Sequence, residues 1–421
     1  MSAAPSKPYR VCIVYQMDPR GAKVGGIETH VRTLIERYPG DFEVLLVGVD
    51  AVGDLKLGAP HRLEVGGRPM TFIPVLHYSD SKARDAARSL LQSLSLQFAR
   101  GVLRYTPAIR RIIGRDPVSF ELQRNETAFL PALLRRPSVL IVHNEYKRDN
   151  KTDSLVSRYW KIYRAGEAFA ARRADRIICV NPAIKAQIGR DFPAHAGKAE
   201  LMTVSVNTDI FRCQPQVTGD GILRLAYAGR FEAQKDPPLM FRTIRCIADR
   251  IDGKVQFHYV GTSDPSSYPE FAAIDGLTVR HGFQKPDGVA RILGMCHATI
   301  LTSNFEGLPV FLLESLASGR PMGAIRLPQF DPLIIDSVSG FQVERRDTPE
   351  ASAEALAERF VAMWAAIRDG RMRPEATAEV VKPYTVDAQL PRLFAIHRSL
   401  QDARWKFSAR TTPRIAASAG E

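Results

Sequence analysis

Short runs of apolar and β-branched residues alternate with stretches of helical period along most of the chain. The runs are VCIVY from Val11, EVLLVGV from Glu43, FIPVL from Phe72, SVLIVH from Ser138, RIICV from Arg176, LRLAYAG from Leu223, VQFHYVG from Val255, ATILTS from Ala298 and PMGA from Pro321. Continuous apolar strands separated by helices are typical of a parallel sheet covered on both faces. The sequence therefore predicts an α/β fold.

The alternation is interrupted once, by the polar stretch FRCQPQVTGDG from Phe211 to Gly221, which has no helix or strand period. At 421 residues the chain also exceeds what a single hydrophobic core usually supports. We therefore expect two Rossmann-like domains, at 1–210 and 218–385, followed by a helical segment and a polar tail at 386–421.

Charge and composition limit the partners, cysteine sites and location that the chain can have. The net charge of +13 favours an anionic partner, which could be a nucleotide, a nucleic acid or an acidic lipid surface. The five cysteines have neither disulfide nor metal-ligand spacing. Since the N-terminus is short and polar and no apolar run reaches spanning length, we expect a cytoplasmic protein.

The most informative segment is TSNFEGLPVFLLESLASGRP, from Thr302 to Pro321, which follows an apolar strand directly. Gly307 permits a tight turn, and Pro309 suits the first turn of a helix. The backbone N–H groups of Gly307, Leu308 and Val310 would then point to one spot at the positive end of the helix dipole. This arrangement predicts a binding site for a diphosphate.

Glu314 lies one to two turns into the same helix, among apolar neighbours. A carboxylate in such surroundings needs hydrogen-bond donors, and a ribose diol supplies two at the right distance from a diphosphate. The alternative is an ordinary exposed face of an amphipathic helix.

Glu306 and Glu314 form an E-x7-E pair inside EGLPVFLLESLASGRP, which resembles the signature of the family 4 retaining glycosyltransferases (glycosyl transferases group 1). The resemblance implies a GT-B fold, with two facing Rossmann-like domains and a deep interdomain cleft. It also implies that Glu314 holds the nucleotide ribose, that Glu306 holds donor-sugar hydroxyls, and that the last helix packs back on the first domain.

A second motif lies on the loop after the strand LRLAYA, where Gly229-Arg230 is followed by Lys235. Two cations on one strand-to-helix loop can clamp a diphosphate and stabilise the charge that builds on the leaving group. The motif is similar to the G-R-x4-K pattern of the family. A solvated basic loop is the alternative.

Two further sites lie in the first half of the chain. Gly25 and Gly26 precede a helix, and paired glycines allow a close approach to a ligand. His143 ends the strand SVLIV, at the edge where open α/β sheets bind ligands. The resemblance implies that Gly25 and Gly26 face the donor sugar and phosphate, and that His143 contacts the sugar near its reacting carbon. His30 more plausibly packs or caps.

We therefore expect His143, Glu306, Arg230 and Lys235 to act in catalysis. No D-x-D pair is present, so no divalent metal and no other cofactor is expected. Retention of configuration is implied by the resemblance alone. The donor is expected to be a nucleotide diphosphate sugar whose base, uracil, guanine or adenine, the sequence leaves open.

The sequence defines the acceptor least. Segment 79–136 of the first domain, where acceptor specificity usually lies, resembles nothing in the family and is interpreted as a basic insertion. Segment 81–115 carries eight basic residues and one acid, with leucines at near-helical spacing. It predicts either an element for an anionic membrane surface, with a glycan or lipid-linked acceptor of the cell envelope, or a packed helix with a basic solvent face. No nucleic-acid motif is present.

Two alternative functions fit the same diphosphate site. One is a sugar-nucleotide epimerase or hydrolase on the same fold, which would need an acid/base pair near the sugar. The other is a protein that binds nucleotide sugars without catalysis. The joint presence of Glu306, Arg230 and Lys235 disfavours the second.

Overall fold

The computed structural model describes residues 7–21, 26–78, 93–143, 159–217, 219 and 221–411, with 404–411 as backbone only. The chain forms two compact units. The first runs to Met202 and takes up the chain again from Leu390, and the second comprises Thr203–Gln389. Both units are α/β, as the alternating pattern predicts.

The first unit is built on an eight-stranded sheet with the order β3-β4-β2-β1-β5-β6-β7-β8. The strands are β1 (Tyr9–Val14), β2 (Phe42–Asp50), β3 (His61–Val65), β4 (Arg68–His77), β5 (Ser119–Leu122), β6 (Ser138–Val142), β7 (Arg176–Cys179) and β8 (Ala199–Leu201). All neighbours pair in parallel except β3 and β4, which are antiparallel. The central strands are buried along their length, which explains their continuous apolar runs.

The described helices of this part of the chain connect the parallel strands. They are α1 (Gly26–Arg37), α2 (Leu94–Ile113), α3 (Phe129–Leu134), α4 (Trp160–Arg173) and α5 (Pro182–Asp191). Local signals fix their starts: the Ser93 side chain accepts a hydrogen bond from the Leu96 N–H, and Asn181 caps α5 in the same way.

The segment 79–136 is not an insertion over its described residues. It contains α2 and β5, and β5 pairs with both β1 and β6 in the middle of the sheet. Helix α2 lies directly on β4, since a Cβ at Gly101 would come within 2.4 Å of the Val75 carbonyl oxygen. The segment is therefore part of the framework of the first unit.

The second unit has a six-stranded sheet, parallel throughout, with the order β11-β10-β9-β12-β13-β14. Its strands are β9 (Leu223–Ala228), β10 (Val255–Val260), β11 (Thr278–Arg280), β12 (Ala298–Leu301), β13 (Met322–Ile325) and β14 (Gly340–Val343). Its helices are α6 (Pro237–Arg250), α7 (Pro286–Gly294), α8 (Val310–Ala317), α9 (Pro349–Arg368) and α10 (Pro374–Glu379).

The first unit ends before the polar break at 211–221. Residues just after Met202 already bond to the second unit: the Val206 N–H donates to the Tyr384 carbonyl, and the Val386 N–H donates to the Val206 carbonyl, each at 3.0 Å. Further along, Arg320 donates to the Pro215 carbonyl at 2.7 Å. The polar, aperiodic stretch is thus held in place by a distant arginine side chain, which composition does not reveal.

The last helix, α11 (Val386–Thr411), joins the first unit from Leu390 onward. Arg398 forms a paired contact with Asp41, at 3.0 Å for each bond. The Phe394 ring packs against Tyr38, with 4.7 Å between ring centroids. The C-terminal helix therefore contributes to the core of the first unit.

Candidate active site

The Gly229-Arg230 motif lies where β9 ends, at the carboxyl edge of the sheet in the second unit. Gly229 has a φ of 156°, and a Cβ there would lie 2.8 Å from the Tyr227 hydroxyl, so the turn requires glycine. Arg230 is exposed and pairs with Glu232 at 2.8 Å. Lys235 ends the short 3-10 turn Ala233–Lys235 that leads into α6.

Hydrogen bonds join this loop to the loop that follows β12. The Asn304 N–H donates to the Gln234 carbonyl at 2.8 Å, and the Gln234 side chain donates back to the Phe305 carbonyl at 2.8 Å. The buried Thr302 hydroxyl lies 2.8 Å from the Lys235 carbonyl. The two motifs, far apart in sequence, are thereby held in a fixed relation.

This relation brings Lys235 to Glu306. The Lys235 Nζ forms an ion pair with Glu306 Oε1, and the Ser303 hydroxyl donates to the same oxygen at 2.7 Å. Gln329 donates to the Glu306 backbone carbonyl at 2.7 Å. The side chains of Glu306 and Lys235 are 6% and 21% exposed, so the pair is largely shielded from water and its charges interact strongly.

Glu314 lies in the second turn of α8, and burial raises the pKa of its carboxyl to about 7. The side chain is nevertheless half-buried rather than sealed from solvent. Among the described residues no hydrogen bond reaches this carboxyl. A desolvated carboxylate that solvent can still reach is suited to a ligand with hydroxyl donors.

The residues before Glu314 form the start of α8. Gly307 and Leu308 are buried, Pro309 is half-buried and takes the N-cap position, and Val310 is the first helical residue. Their backbone lies at the positive end of the helix dipole, where an anion is stabilised. The six functional positions predicted around 306–314 thus lie beside the Lys235 loop, at the same edge of one sheet.

The predicted residues of the first unit also lie at a carboxyl edge. His143 follows β6 directly, and Gly26 is the exposed first residue of α1. Gly25 lies outside the described residues. The buried His30 packs edge-on against the His143 ring, with 5.7 Å between centroids.

Both rings are held in the neutral form. Burial, with smaller contributions from His30 and Arg124, lowers the pKa of His143 well below its ordinary value. Burial lowers the pKa of His30 to about 4. The His143 Nε2 lies 2.7 Å from Gln123 Oε1. At neutral pH His143 can therefore make hydrogen bonds but carries no positive charge.

Sequence reasoning missed the residues that hold the predicted ones in place. In the second unit these are Gln234, Thr302, Ser303 and Gln329, and in the first unit Gln123. Position is a signal for three of them: Thr302 and Ser303 lie between the end of β12 and Glu306, and Gln123 directly follows β5.

The described residues contain neither a candidate metal centre nor a membrane-spanning helix. Within 7–21, 26–78, 93–143, 159–217, 219 and 221–411, no group of three or more His, Cys, Asp or Glu side chains is placed to hold a metal ion. In the same part of the chain, no helix combines the length and apolarity that crossing a bilayer requires.

Comparison with protein families gave two matches. The model described as glycosyl transferases group 1 matches residues 223–360, and the model described as glycosyltransferase family 4 matches residues 24–209. Together they take in about three quarters of the chain. The candidate residues of each unit fall within one of the matches.

Among curated proteins, the D-inositol 3-phosphate glycosyltransferase of Saccharomonospora viridis is 28% identical over 215 residues, which are 46% of this chain and 49% of the relative. The chain spans about half the length of the curated relatives it matches.

Among solved structures, sucrose-phosphate synthase from Thermosynechococcus elongatus matches with a TM-score of 0.73 at 17% identity, over 94% of this chain and 100% of that chain. HepE of Anabaena in complex with UDP and glucose matches with a TM-score of 0.60 at 14% identity, over 96% and 100%. These matches confirm the expected α/β fold of the GT-B type.

Proposed function

The chain belongs to the group 1, family 4 glycosyltransferases, and from this membership we propose that it transfers a sugar from a nucleotide diphosphate donor to an acceptor hydroxyl. The observation that carries the proposal is the placement of the Lys235–Glu306 pair beside the start of α8, one turn before Glu314. Cation, helix N-terminus and shielded carboxylates are the groups that a phosphate, a sugar and a ribose require.

In this proposal Glu314 accepts hydrogen bonds from the ribose hydroxyls. The absence of a bond to its carboxyl among the described residues, together with its raised pKa, supports that role. The backbone from Gly307 to Val310 binds the diphosphate, assisted by Arg230 and Lys235. Glu306 orients the hydroxyls of the donor sugar, while Gly25, Gly26 and His143 serve the donor from the first unit.

The proposed reaction proceeds with retention. The acceptor oxygen forms its bond to the anomeric carbon on the face from which the diphosphate leaves, as the bond from that carbon to the diphosphate oxygen breaks. The acceptor hydroxyl gives its proton to an oxygen of the departing phosphate. Arg230 and Lys235 stabilise the charge that develops there, and Glu306 need not act as a base.

We also propose that no divalent metal is needed, because Arg230, Lys235 and the N-terminus of α8 supply the positive charge that a metal would. Uracil is the first candidate for the base of the donor, so UDP is the first nucleotide to test. The HepE structure contains UDP and glucose, and a pneumococcal O-GlcNAc transferase of similar fold was solved with UDP and GlcNAc.

For the acceptor we propose a glycan or lipid-linked molecule of the cell envelope, with the enzyme at the cytoplasmic face of a membrane. A groove of about 530 Å³ between α2, α3 and α4 supports this, because its lining is mostly apolar. It is lined by Leu96, Ala99, Arg100, Leu103, Phe129, Ala132, Leu133, Phe169 and Arg173. Leu103 and Leu133 are each 56% exposed.

Only some of the apolar residues of the basic segment line this groove. Phe98 points into the core, while Leu103 is exposed; Leu90 and Leu91 lie outside the described residues. Sedimentation with vesicles of anionic and of neutral lipid tests the membrane proposal. Binding to anionic vesicles that is lost in Leu103→Asp supports it, and equal sedimentation with both lipids contradicts it.

The activity is tested by incubating the protein with UDP-glucose, with and without a panel of acceptors, and measuring UDP release. Release that requires an acceptor and is lost in Glu306→Gln supports the transferase. Release without an acceptor indicates a hydrolase, and conversion of the donor sugar to its epimer indicates an epimerase.

A further inference from the structure

A continuous line of buried hydrogen bonds runs from the C-terminal helix α11 across strand β5 to the ring of His143. Its members, in order from the helix, are Gln401, Ser119, His397, Glu121, Gln123 and His143. Ser119, Glu121 and Gln123 alternate along β5 and its end, so they lie on one face of the sheet. All three are buried. Buried polar groups of this kind are tolerated only when they are hydrogen-bonded.

Glu121 is the acceptor on which the line converges. Its Oε2 accepts from the Tyr38 hydroxyl at 2.7 Å and from His397 Nε2 at 3.3 Å, and its Oε1 accepts from the Gln123 amide at 2.6 Å. Ser119 Oγ receives a hydrogen bond from Gln401 and lies 2.8 Å from His397 Nδ1. A carboxylate can only accept, so His397 Nε2 carries the hydrogen toward Glu121, and in the neutral ring the Ser119 hydroxyl then donates to Nδ1.

Three donors around one carboxyl group match an ionised carboxylate, which can only accept. Gln123 must therefore present its NH2 group to Glu121, and its carbonyl oxygen faces the other way. That carbonyl is the atom 2.7 Å from His143 Nε2, and it also can only accept. The hydrogen of the neutral His143 ring is consequently on Nε2, and Nδ1 carries the lone pair.

We propose that Glu121 and Gln123 are positioning residues that fix His143 as its Nε2–H tautomer, so that the ring meets the donor sugar with Nδ1 as a hydrogen-bond acceptor. His143 then receives a hydrogen bond from a sugar hydroxyl, and it cannot donate one to the leaving diphosphate from that nitrogen. The meaning for catalysis rests on the proposed glycosyl transfer, whereas the tautomer can be measured without substrate.

The test is nitrogen NMR of the full-length protein labelled with 15N-histidine, with the His143 signals identified by their loss in His143→Gln. In the wild type, Nε2 should appear as a protonated ring nitrogen and Nδ1 as an unprotonated one. In Glu121→Gln the amide oxygen of the new side chain should stay with Tyr38 and His397, so its NH2 group faces Gln123. The Gln123 amide should then turn over, with its oxygen toward residue 121 and its NH2 group toward His143. The hydrogen on His143 should then move to Nδ1.

The matched control is Tyr38→Phe, which removes a buried hydrogen bond to the same carboxylate but leaves the Gln123 amide where it is. Its His143 tautomer should be that of the wild type. A hydrogen on Nδ1 in the wild type, no change in Glu121→Gln, or a reversal in Tyr38→Phe would each overturn the inference. If Glu121→Gln does not fold, Gln123→Met carries the test and should give a mixture of both tautomers.

Turnover provides the second readout. Glu121→Gln should lower kcat by on the order of 10- to 100-fold, the size of loss seen when the partners that orient metal-binding histidines are replaced. The affinity for UDP should not change, because the nucleotide-binding residues lie in the other unit. A reversed tautomer in a protein whose wild type shows no sugar transfer would refute the proposed function alone; an unchanged tautomer in an active enzyme would refute this inference alone.

Discussion

Lys235 Nζ is bonded to Glu306 Oε1, although the two residues lie on loops that follow different strands of the second unit. A diphosphate near Lys235 would compete with Glu306 for the same ammonium group, so donor binding and orientation of Glu306 are coupled. Ser303 donates to the same carboxylate oxygen and would keep Glu306 in place if Lys235 turned to a phosphate.

Removing the cation of this pair should affect catalysis more than binding. We expect Lys235→Met to lower kcat by on the order of 10²–10³-fold, because a group aimed at developing negative charge is worth most in the transition state. The Kd for UDP should rise less. Lys254→Met, at an exposed lysine of the same unit, is the matched control. Equal losses in both variants would contradict the role of Lys235.

The affinity for a nucleoside diphosphate should depend on pH through Glu314. Because burial raises its pKa to about 7, the carboxyl is protonated below that pH and must release its proton to accept from two ribose hydroxyls. Affinity should therefore fall as pH drops below about 7, by up to about tenfold per pH unit. Calorimetry of UDP binding from about pH 5.5 to about pH 8.5 checks this prediction. The affinity of the wild type for UDP should depend on pH more steeply than that of Glu314→Gln. Equal pH dependence in the two proteins would contradict the role of Glu314.

Arg230 and Glu232 offer a test of the diphosphate clamp that leaves the fold intact. Their pair is more than 40% exposed on each side, so its loss should change the free energy of unfolding by less than about 1 kcal/mol. Arg230→Ala should weaken binding of UDP but not of uridine. Glu232→Ala should bind UDP at least as tightly as the wild type. Equal weakening of uridine binding by Arg230→Ala would place the arginine elsewhere in the site.

One of the hydrogen-bonded contacts between the two loops is made by a buried hydroxyl. Thr302 lies at hydrogen-bond distance from the carbonyls of Lys235 and Asp236. Thr302→Val keeps the shape but removes the donor, and we expect a loss of about 1–3 kcal/mol in the free energy of unfolding, measured in urea. Activity should fall further than stability explains, since Lys235 would be displaced. Thr278→Val, which also loses a hydroxyl bond to a carbonyl but lies away from the loops, should leave kcat unchanged.

The sequence was sufficient for the alternation of strands and helices, for the fold class and for the segments that carry the candidate site. It was not sufficient for β5. SFEL has only four residues, and its polar members alternate with its apolar ones, as in a half-exposed strand, yet every residue is buried. The burial of Ser119 and Glu121 depends in part on α11, distant in sequence, which supplies hydrogen-bond partners to both.

The same limit applies to the site itself. E-x7-E and G-R-x4-K identify the segments, because glycine turns and a helix start leave local signals. Lys235 and Glu306 are 71 residues apart in the chain, and Gln123 and His143 are 20 apart. Each contact depends on how the loops pack, and no local pattern encodes it.

The most direct test of the account is the melting temperature of the wild type and of Glu314→Ala with UDP, GDP and ADP in EDTA. A nucleotide present at about 100 times its Kd should stabilise the protein by about 2.7 kcal/mol, which raises the melting temperature by several degrees. We predict such a shift with one of the three bases in the wild type, and its loss in the variant. No shift with any nucleotide, or an equal shift in Glu314→Ala, would contradict the assignment of the donor site.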